Sequence, residues 1–323
     1  MSTALIPVRE EPIVVPGRVA ASVEHYMRQA RASNTWRAYR ADWEHFSGWC
    51  ATRELASIPS DPETVALYLA EHADLLKVAT LQRRLCAINK VHKAAGCASP
   101  ASMANARVRE TWRGIRRVKG LAQQVKAPVL TADLRQMVAE LPAGLQGARD
   151  RALLLLGFSG AFRRSELVAL NIEDLEFRED GLVITLHRSK TDQEGAGRQI
   201  GIPYGSDPTT CPFRAARAWL KAAALEAGAL FRGVDRHGRL GGTRLSDKSV
   251  ALVVKRYATA IGKDASHFAG HSLRAGLVTA AAMAGASERS IMAQTGHRST
   301  AMVRRYVRNA SLFQDNAAAK TGL

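Results

Sequence analysis

The stretch LEFREDGLVITLHRSKTDQEGAGRQIGIP, residues 175–203, decides the fold class of this chain. It holds three short runs of strand-forming residues, around Leu175, at Leu182–Leu186 and at Arg198–Ile202. The dipeptide Asp180-Gly181 is typical of a tight hairpin turn, and the polar, glycine-rich segment 189–197 separates the second run from the third. The sequence therefore predicts a small three-stranded antiparallel sheet.

Apolar residues in the first half of the chain recur at the spacing of helices. One helix is predicted by an aromatic stripe that would face a core, formed by Trp36, Tyr39, Trp43, Phe46 and Cys50. Asn34 or Thr35 is available as its N-cap. Two more helices are indicated, one opened by Asp61 and Pro62 and one ended by Gly96. The first half is therefore predicted to be all-helical.

The second half begins and ends with helical patterns, and from Pro212 onward only helices are expected. Between the halves, LAQQVKAPVL breaks the pattern at Pro128, and Thr131 would cap the next helix. Four parts are predicted: a flexible leader at 1–16, a helical domain at 17–120, a linker at 121–129 and a second domain at 130–323. The predicted fold class is mainly α (α+β), a helical N-terminal domain followed by a mostly helical domain that contains the small three-stranded antiparallel sheet.

Charge is the strongest feature of the composition. Lysine and arginine outnumber aspartate and glutamate by 46 to 29, which gives a formal net charge of +17. An excess this large at ordinary hydrophobic content indicates a polyanionic partner, with nucleic acid the first candidate. A membrane is disfavoured, because the basic residues are spread through both halves and no apolar segment has the length of a bilayer span.

The start of the chain and its cysteines favour a cytoplasmic protein. The segment MSTALIPVREEPIVVPG lacks the basic and apolar regions of a signal peptide, since Glu10, Glu11 and the prolines interrupt it. The cysteines form neither a C-x-x-C pair nor a disulfide-dense pattern; they are Cys50, Cys86, Cys97 and Cys211. Reduced, mostly packed thiols are therefore expected.

A basic helix is predicted at ARVRETWRGIRRVKG, residues 106–120, with Val108, Trp112 and Ile115 facing inward. A solvated face is the usual explanation of such a run, but the net charge makes contact with DNA phosphates an equal alternative. The candidate DNA-binding residues lie on the outward faces of this helix and of the aromatic helix: Arg37, Arg40, Arg109, Arg113, Arg116 and Arg117.

Four segments of the second half hold polar groups that folding does not require. They are GFSGAFRRSEL with Arg163 and Arg164, HRSKTDQEG with Lys190, HFAGHSLRAG with His271 and Arg274, and TGHRSTAMVRRYVRN with His297 and Tyr306. Each alone has an ordinary structural explanation; a hairpin lysine, for example, serves solubility. His267 and His271 have the spacing of half a zinc site, but the glutamate and third ligand of a helical zinc site are missing.

Together, the order and spacing of these segments resemble the tyrosine recombinases, the lambda-integrase family. The matching positions are RRSEL at 163–167, Lys190, the H-x-x-R of His271 and Arg274, the dipeptide Gly296-His297, and Tyr306. The interval of twenty-six positions from His271 to His297 and the interval of nine from His297 to Tyr306 agree with the family pattern. The family spacing to Ser165-Glu166 favours Arg163, with Arg164 as the alternative. The helical first half resembles the family's core-binding domain.

The resemblance implies that Tyr306 attacks a DNA phosphodiester, forms a 3′-phosphotyrosyl bond and releases a 5′-hydroxyl. Lys190 would be the general acid for the leaving oxygen, and His271 would help to accept the tyrosine proton. A phenol with a pKa of about 10 is a poor nucleophile at neutral pH, so it needs nearby positive charge and a base.

The resemblance also implies that Arg163, Arg274 and His297 surround the scissile phosphate and stabilise the charge of its transition state. Glu166 would fix these groups from behind. Arginine suits this role because it stays charged and presents a bidentate fork to phosphate. No cofactor and no metal is implied.

The expected partner is a double-stranded DNA recombination site with inverted arms, bound by a homotetramer in the synapse that is a monomer in solution. An accessory DNA-binding protein is left open as a further partner, and recombination would pass through a Holliday junction. The implied role is resolution of cointegrates or dimers, or integration and excision of a mobile element. Alternatives are a DNA-binding protein without chemistry, and a type IB topoisomerase or telomere resolvase that shares this chemistry.

Overall fold

The computed structural model describes residues 33–120, 126–187 and 197–310, together with Thr321. The leader predicted at 1–16 lies outside the described residues. The chain divides into two compact units, Met1–Gln123 and Gln124–Leu323. In the described ranges, no helix is both long enough and apolar enough to cross a membrane.

The described part of the first unit consists of helices. They are α1 (Ser33–Ala51), α2 (Pro62–His72), α3 (Val78–Ala94) and α4 (Ala106–Lys119). The predicted cap of α2 is confirmed, since the Asp61 carboxylate accepts a hydrogen bond from the Thr64 backbone N–H at 2.7 Å. Gly96, with a φ of 71°, follows the end of α3 as predicted. The helix α1 begins at Ser33, so Asn34 and Thr35 lie inside it and the predicted cap is wrong.

An aromatic core joins the four helices that the structure describes in the first unit. Phe46, Tyr68 and Trp112 are buried in it, and the predicted inward face of α4 is confirmed. The aromatic stripe of α1 is only partly confirmed, because Trp36 is 41% exposed while Trp49, outside the predicted stripe, is buried. The buried residues of α1 therefore lie mainly in its C-terminal half.

Helices are also the main elements in the described part of the second unit. They are α5 (Thr131–Ala139), α6 (Leu145–Ser159), α7 (Arg164–Ala169), α8 (Pro212–Ala222), α9 (Asp247–Ala260), α10 (Ser272–Met283), α11 (Glu288–Thr295) and α12 (Thr300–Ala310). Thr131 is the first residue of α5 rather than its cap; the cap position is Leu130, whose N–H donates to Asp133.

The predicted three-stranded antiparallel sheet is confirmed. Its strands are β1 (Leu175–Arg178), β2 (Gly181–Leu186) and β3 (Arg198–Pro203), in the order β1-β2-β3. On β2, Leu182, Ile184 and Leu186 face the core. Gly181 has a φ of 143°, and a Cβ there would lie 2.4 Å from the Ile202 carbonyl oxygen, so this turn requires glycine.

A second, two-stranded sheet contradicts the expectation that only helices follow Pro212. It pairs β4 (Arg232–Val234) with β5 (Leu240–Arg244) in antiparallel fashion. The Arg244 side chain at its base donates to the carbonyl oxygens of Val168 and Leu170 at 2.7 and 2.9 Å. The hairpin therefore caps the C-terminal end of α7 through the Arg244 side chain.

Among the described residues of the second unit, two hydrophobic clusters stabilise the fold. The larger one joins α5–α10 to the three-stranded sheet. The smaller one, which we call the C-terminal core, is formed by Val278 of α10, Ile291 of α11 and Val303 of α12. The Tyr306 ring packs against this second cluster.

Candidate active site

Arg274 is the central group of the site. It lies in the first turn of α10, and its side chain is 1% exposed. One guanidinium nitrogen, Nη1, donates to the Ala161 carbonyl oxygen at 2.6 Å, and Nη2 donates to His297 Nε2 at 3.0 Å. Burial lowers the pKa of Arg274 to about 10, with a further lowering by the neighbouring positive charge of Arg163. The group therefore stays charged at neutral pH.

His297 follows the end of α11 and is held on both ring nitrogens. Because an arginine can only donate, Nε2 accepts from Arg274, so the proton of the neutral ring lies on Nδ1. Nδ1 donates to the hydroxyl of Thr295 at 2.8 Å, and that hydroxyl donates to the Ile291 carbonyl oxygen at 2.7 Å. Burial, followed by the charges of Arg274 and Arg163, lowers the pKa of His297 to about 4. At neutral pH the imidazole is uncharged.

Arg163 occupies the N-cap position of α7, where the chain leaves α6. Its backbone N–H donates to Glu166 Oε2 at 2.8 Å, and its guanidinium forms an ion pair with the other oxygen of that carboxylate. The Glu166 side chain is buried. Its carboxylate therefore both caps the helix and fixes the orientation of the arginine.

The neighbouring Arg164 points elsewhere. It is half-exposed, and its Nε lies 3.1 Å from Asp247 at the start of α9. Arg163, by contrast, is close enough to lower the pKa of both Arg274 and His297. This placement supports Arg163 as the arginine of the site.

His271 and Tyr306 meet although they are far apart in sequence. His271 precedes α10 by one residue, and Tyr306 lies in the middle of α12. Nε2 of His271 lies 3.1 Å from the Tyr306 hydroxyl oxygen, within hydrogen-bond distance. The negative form of Tyr306 also raises the pKa of Arg274, which places the phenol oxygen within electrostatic reach of the buried arginine. The structure thus brings a phenol, a base and the cationic groups to one place.

Lys190, the remaining residue of the sequence-based site, lies outside the described residues. Tyr26 also lies outside them. Two other tyrosines that could compete with Tyr306 are buried: burial raises the pKa of both Tyr68 and Tyr257 to about 12. The hydroxyl of Tyr257 donates to Asp150 at 2.9 Å. Because both side chains are buried, neither phenol can contact a polymer in solution.

One residue of this region, Arg198, was missed by the sequence reasoning. It begins β3, and its guanidinium donates to the last carbonyl oxygens of α11, just ahead of His297. Its charge lowers the pKa of Arg274 and of His297. An arginine at the start of a strand carries no sequence signal for such a contact; the adjacent Gly296 at a helix end is a weak one.

The six arginines predicted to bind DNA lie on the surface of the first unit, where their surroundings differ. Arg109 and Arg113 both contact Glu110, at 3.1 and 3.0 Å. Among the described residues, Arg116 and Arg117 have no ion-pair partner. On α1, Arg37 donates to the Asn34 side chain, and Arg40 is exposed. Arg116 and Arg117 therefore offer the most available charge on α4.

No group of three or more histidine, cysteine, aspartate or glutamate side chains with the geometry of a metal site occurs among the described residues. His267 contacts Asp264 at 3.7 Å, while His271 contacts Tyr306. The two histidines thus have different partners.

Comparison with known sequences matches residues 129–312 to the phage integrase family. An integrase/recombinase xerD homolog of Selenomonas ruminantium is 43% identical over 303 residues, which cover 93% of this chain and 89% of that protein. A tyrosine recombinase XerC of Xanthomonas campestris is 28% identical over 284 residues, covering 85% of this chain and 78% of the relative.

Comparison with solved structures finds the same architecture. XerH site-specific recombinase, bound to palindromic difH substrate in a post-cleavage complex, aligns with a TM-score of 0.62 at 17% identity, over 80% of this chain and 72% of that one. A lambda integrase (75–356) dimer bound to a COC′ core site aligns with a TM-score of 0.56 at 15% identity, over 90% of this chain and 94% of that one. The fold of this chain, mostly helical with the small sheet, is the fold of those proteins.

Proposed function

The chain belongs to the phage integrase family of tyrosine recombinases, and we propose that it recombines specific DNA sites through a 3′-phosphotyrosyl intermediate and a Holliday junction. The observation that carries this mechanism is the contact between the Tyr306 hydroxyl and His271 beside the buried Arg274. A phenol placed against a base and within reach of fixed positive charge is the arrangement that a tyrosine nucleophile needs.

In the cleavage step, the Tyr306 oxygen attacks the phosphorus, and its proton passes to Nε2 of His271, 3.1 Å away. The bond from phosphorus to the 5′ oxygen breaks, and Lys190 protonates that leaving oxygen. The products are a 3′-phosphotyrosyl ester and a 5′-hydroxyl. A 5′-hydroxyl from a second strand reverses the step, since one phosphodiester replaces another and no external energy source is consumed.

Charge that develops on the nonbridging phosphate oxygens is stabilised by Arg163, Arg274 and His297. The first two are preorganised, because Glu166 fixes Arg163 and the Ala161 carbonyl fixes Arg274. Groups that are already oriented cost no reorganisation when the transition state forms.

The imidazole of His297 needs its proton on Nε2 in order to donate to a phosphate oxygen. In the free protein, Nε2 accepts from Arg274 instead. The buried Thr295 hydroxyl permits the exchange: when it turns from the Ile291 carbonyl to donate to Nδ1, the neutral ring carries its proton on Nε2. When a phosphate enters, Arg274 gives up its hydrogen bond to His297. The imidazole then changes tautomer and stays uncharged.

The proposed substrate is a double-stranded site with inverted arms, and the proposed assembly is a homotetramer in the synapse built from protein that is monomeric in solution. The fold shared with XerH on a palindromic substrate and with a lambda integrase dimer on a core site supports this proposal. The arginines of α4 and α1 would bind the DNA backbone. The proposed role is resolution of cointegrates or dimers, or movement of an element, in the bacterial cytoplasm at the nucleoid, with or without an accessory DNA-binding protein.

A covalent trapping experiment tests the mechanism. Footprinting on the DNA beside its own gene supplies a site, and a duplex nicked next to the cleavage point traps the protein by losing the short 5′-hydroxyl fragment. The wild-type protein and the matched control Tyr204→Phe, whose tyrosine is half-exposed and packs against Phe213, should give a denaturant-stable adduct. Tyr306→Phe should give none.

Two results would overturn the proposal. Specific binding by the wild-type protein without an adduct would make this chain a DNA-binding protein without chemistry. Relaxation of supercoiled plasmids that lack the site would make it a topoisomerase.

A further inference from the structure

We propose that Arg198 is a positioning residue for the recombination chemistry: from strand β3 it holds the C-terminal turn of α11 and thereby sets the place of His297. The proposal rests on the proposed function for its catalytic consequence, since it assumes that His297 acts on the scissile phosphate. The contacts on which it is built are independent of that function.

The guanidinium of Arg198 binds the end of α11 at three carbonyl oxygens. Nη1 donates to Gln294 at 3.0 Å and to Ala293 at 3.3 Å, and Nη2 donates to Thr295 at 3.3 Å. The last carbonyl groups of a helix lack partners within it and carry the negative end of its dipole. An arginine from another element therefore satisfies them and neutralises their charge at the residues directly before His297.

Gly296 shows how closely the guanidinium approaches this turn. Gly296 is left-handed, with a φ of 68°, and a Cβ built on it would lie 2.9 Å from Nε and 3.0 Å from Cζ of Arg198. Glycine thus serves two purposes, the backbone conformation that ends the helix and the space that the arginine fills. The turn and the arginine are fitted to each other.

A second contact ties the same turn to the same strand. The Gln294 side-chain amide donates to the carbonyl oxygen of Ser159 at the end of α6, at 2.8 Å, and to that of Gly201 on β3, at 3.2 Å. His297 is then fixed from within the turn by Thr295 and from outside it by β3. The distance between His297 and Arg274 thus depends on the position of β3.

Direct contact with phosphate is the other role open to Arg198. Three of its five N–H groups are already used on backbone carbonyl oxygens, and its Nε lies against Gly296. Arg198 is only partly exposed, and burial of its guanidinium lowers its pKa. These contacts assign Arg198 to the support of the site rather than to its reacting face.

Single-turnover cleavage of the nicked duplex at saturating protein gives the first test. Arg198→Ala should lower the cleavage rate by about 10- to 100-fold, because displacement of a reacting group by about 1 Å has effects of this order. DNA affinity should stay within about twofold, and Arg198→Lys, which still reaches the carbonyl oxygens with a charge, should recover part of the rate. Arg178→Ala, on the exposed strand β1, is the matched control and should cleave at the wild-type rate.

The fit between Arg198 and Gly296 gives the second test, in a double-mutant cycle. Gly285 has nearly the same conformation, a φ of 79°, and a Cβ built on it would meet nothing within 4 Å, so Gly285→Ala measures the cost of the backbone alone. Gly296→Ala should reduce the rate and the unfolding midpoint more than Gly285→Ala does. In the Arg198→Ala background this excess should vanish, because the clashing side chain is gone.

Titration of His297, followed by NMR of histidine-labelled protein, gives a readout that a general loss of stability would not move. Removal of the Arg198 charge should raise the pKa of His297 above about 4 by a small amount, since burial and the charges of Arg274 and Arg163 contribute more, and Arg198→Lys should raise it less than Arg198→Met does. Arg178→Met, which lacks contact with the site, should leave it in place.

The outcomes separate this proposal from the proposed function. If the wild-type protein forms no adduct, the recombination mechanism fails, while the cycle and the titration still judge the contact. If the wild-type protein cleaves and the Arg198 variants cleave at the same rate, with the His297 titration unchanged, the positioning role alone is wrong. Loss of DNA affinity in parallel with rate would overturn it in favour of a phosphate contact.

Discussion

Helix α4 and the candidate active site both concentrate arginines, but they place them in opposite surroundings. On α4 the guanidinium groups are largely exposed; Arg116 and Arg117 have no ion-pair partner among the described residues. In the site, Arg274 is 1% exposed and bonded to a backbone carbonyl, and Arg163 is bound to a buried carboxylate. Both regions use arginine, but the guanidinium groups of α4 are exposed to solvent and those of the site are held in place by protein contacts.

The difference separates attraction from chemistry. An exposed arginine attracts a polyanion over a distance and is screened by salt, so its contribution is spread over many similar contacts. A buried, bonded arginine costs free energy to desolvate, which the protein recovers only if the group then meets a charge at a defined place. The comparison predicts large effects on rate from the buried group and small, salt-dependent effects on affinity from the exposed one.

The largest effect is expected for Arg274. Arg274→Ala should reduce the rate of adduct formation at saturating DNA by about 10² to 10³, the range for removal of a preorganised transition-state donor. DNA affinity should fall by less than about fivefold, since the many exposed cations remain. Rapid-quench cleavage and a binding titration measure the two quantities; equal losses in both would place Arg274 among ordinary phosphate contacts.

A smaller but sharper contrast is expected between adjacent arginines. Arg163→Ala should lower the cleavage rate by about 10². Arg164→Ala should change it by less than about threefold, because that side chain contacts Asp247 and is worth little at an exposed position. The same single-turnover assay serves both variants. The reverse order of effects would assign the role to Arg164.

For α4, the expected change is in the salt dependence. Substitution of both Arg116 and Arg117 by glutamine should reduce the slope of log affinity against log salt by about 1.8, if each contacts one phosphate. The Arg109→Gln, Arg113→Gln double variant is the matched control and should change the slope less, because Glu110 already pairs with both. An unchanged slope in the first double variant would identify the helix as a solvated face.

The smallest effect concerns pH and the neutral His297. Its pKa is 6.5 in an ordinary environment and about 4 in the folded protein. Between these values the unfolded chain binds a proton that the folded chain does not, so stability is full above pH 6.5 and is lost as the pH falls towards 4. Urea unfolding at about pH 7 and about pH 5 should show a larger loss for the wild-type protein than for His297→Gln. Equal losses would mean that burial and the neighbouring cations do not lower the pKa of this ring.

Much of the fold could be predicted because its signals are local. Helical spacing identified the buried residues of α4, and a turn dipeptide between short strand-forming runs identified the three-stranded sheet. The second sheet was missed because RGV and LGGTR are short and glycine-rich and lack alternation. The exposure of Trp36 was missed because periodicity shows which residues share a face, not where along a helix its neighbours stop.

The site divides in the same way. Spacing within a family pattern could point to His271, Arg274 and Tyr306, but no local rule predicts that residues 271 and 306 meet at 3.1 Å. The sequence pattern also does not predict which of two adjacent arginines turns inward, since that depends on the carboxylates of Glu166 and Asp247. Arg198 was invisible for the same reason: its partners are backbone carbonyl oxygens, which every residue has.

The C-terminal core has a consequence for the local stability of Tyr306. Tyr306 packs on a cluster of a few aliphatic side chains, separate from the larger hydrophobic core of the second unit, and an exposed ion pair from Arg304 to Glu288 adds little to it. A small cluster opens at a lower free energy than a large one. Helix α12 and Tyr306 are therefore expected to open locally at a lower free energy than the elements built on the larger core.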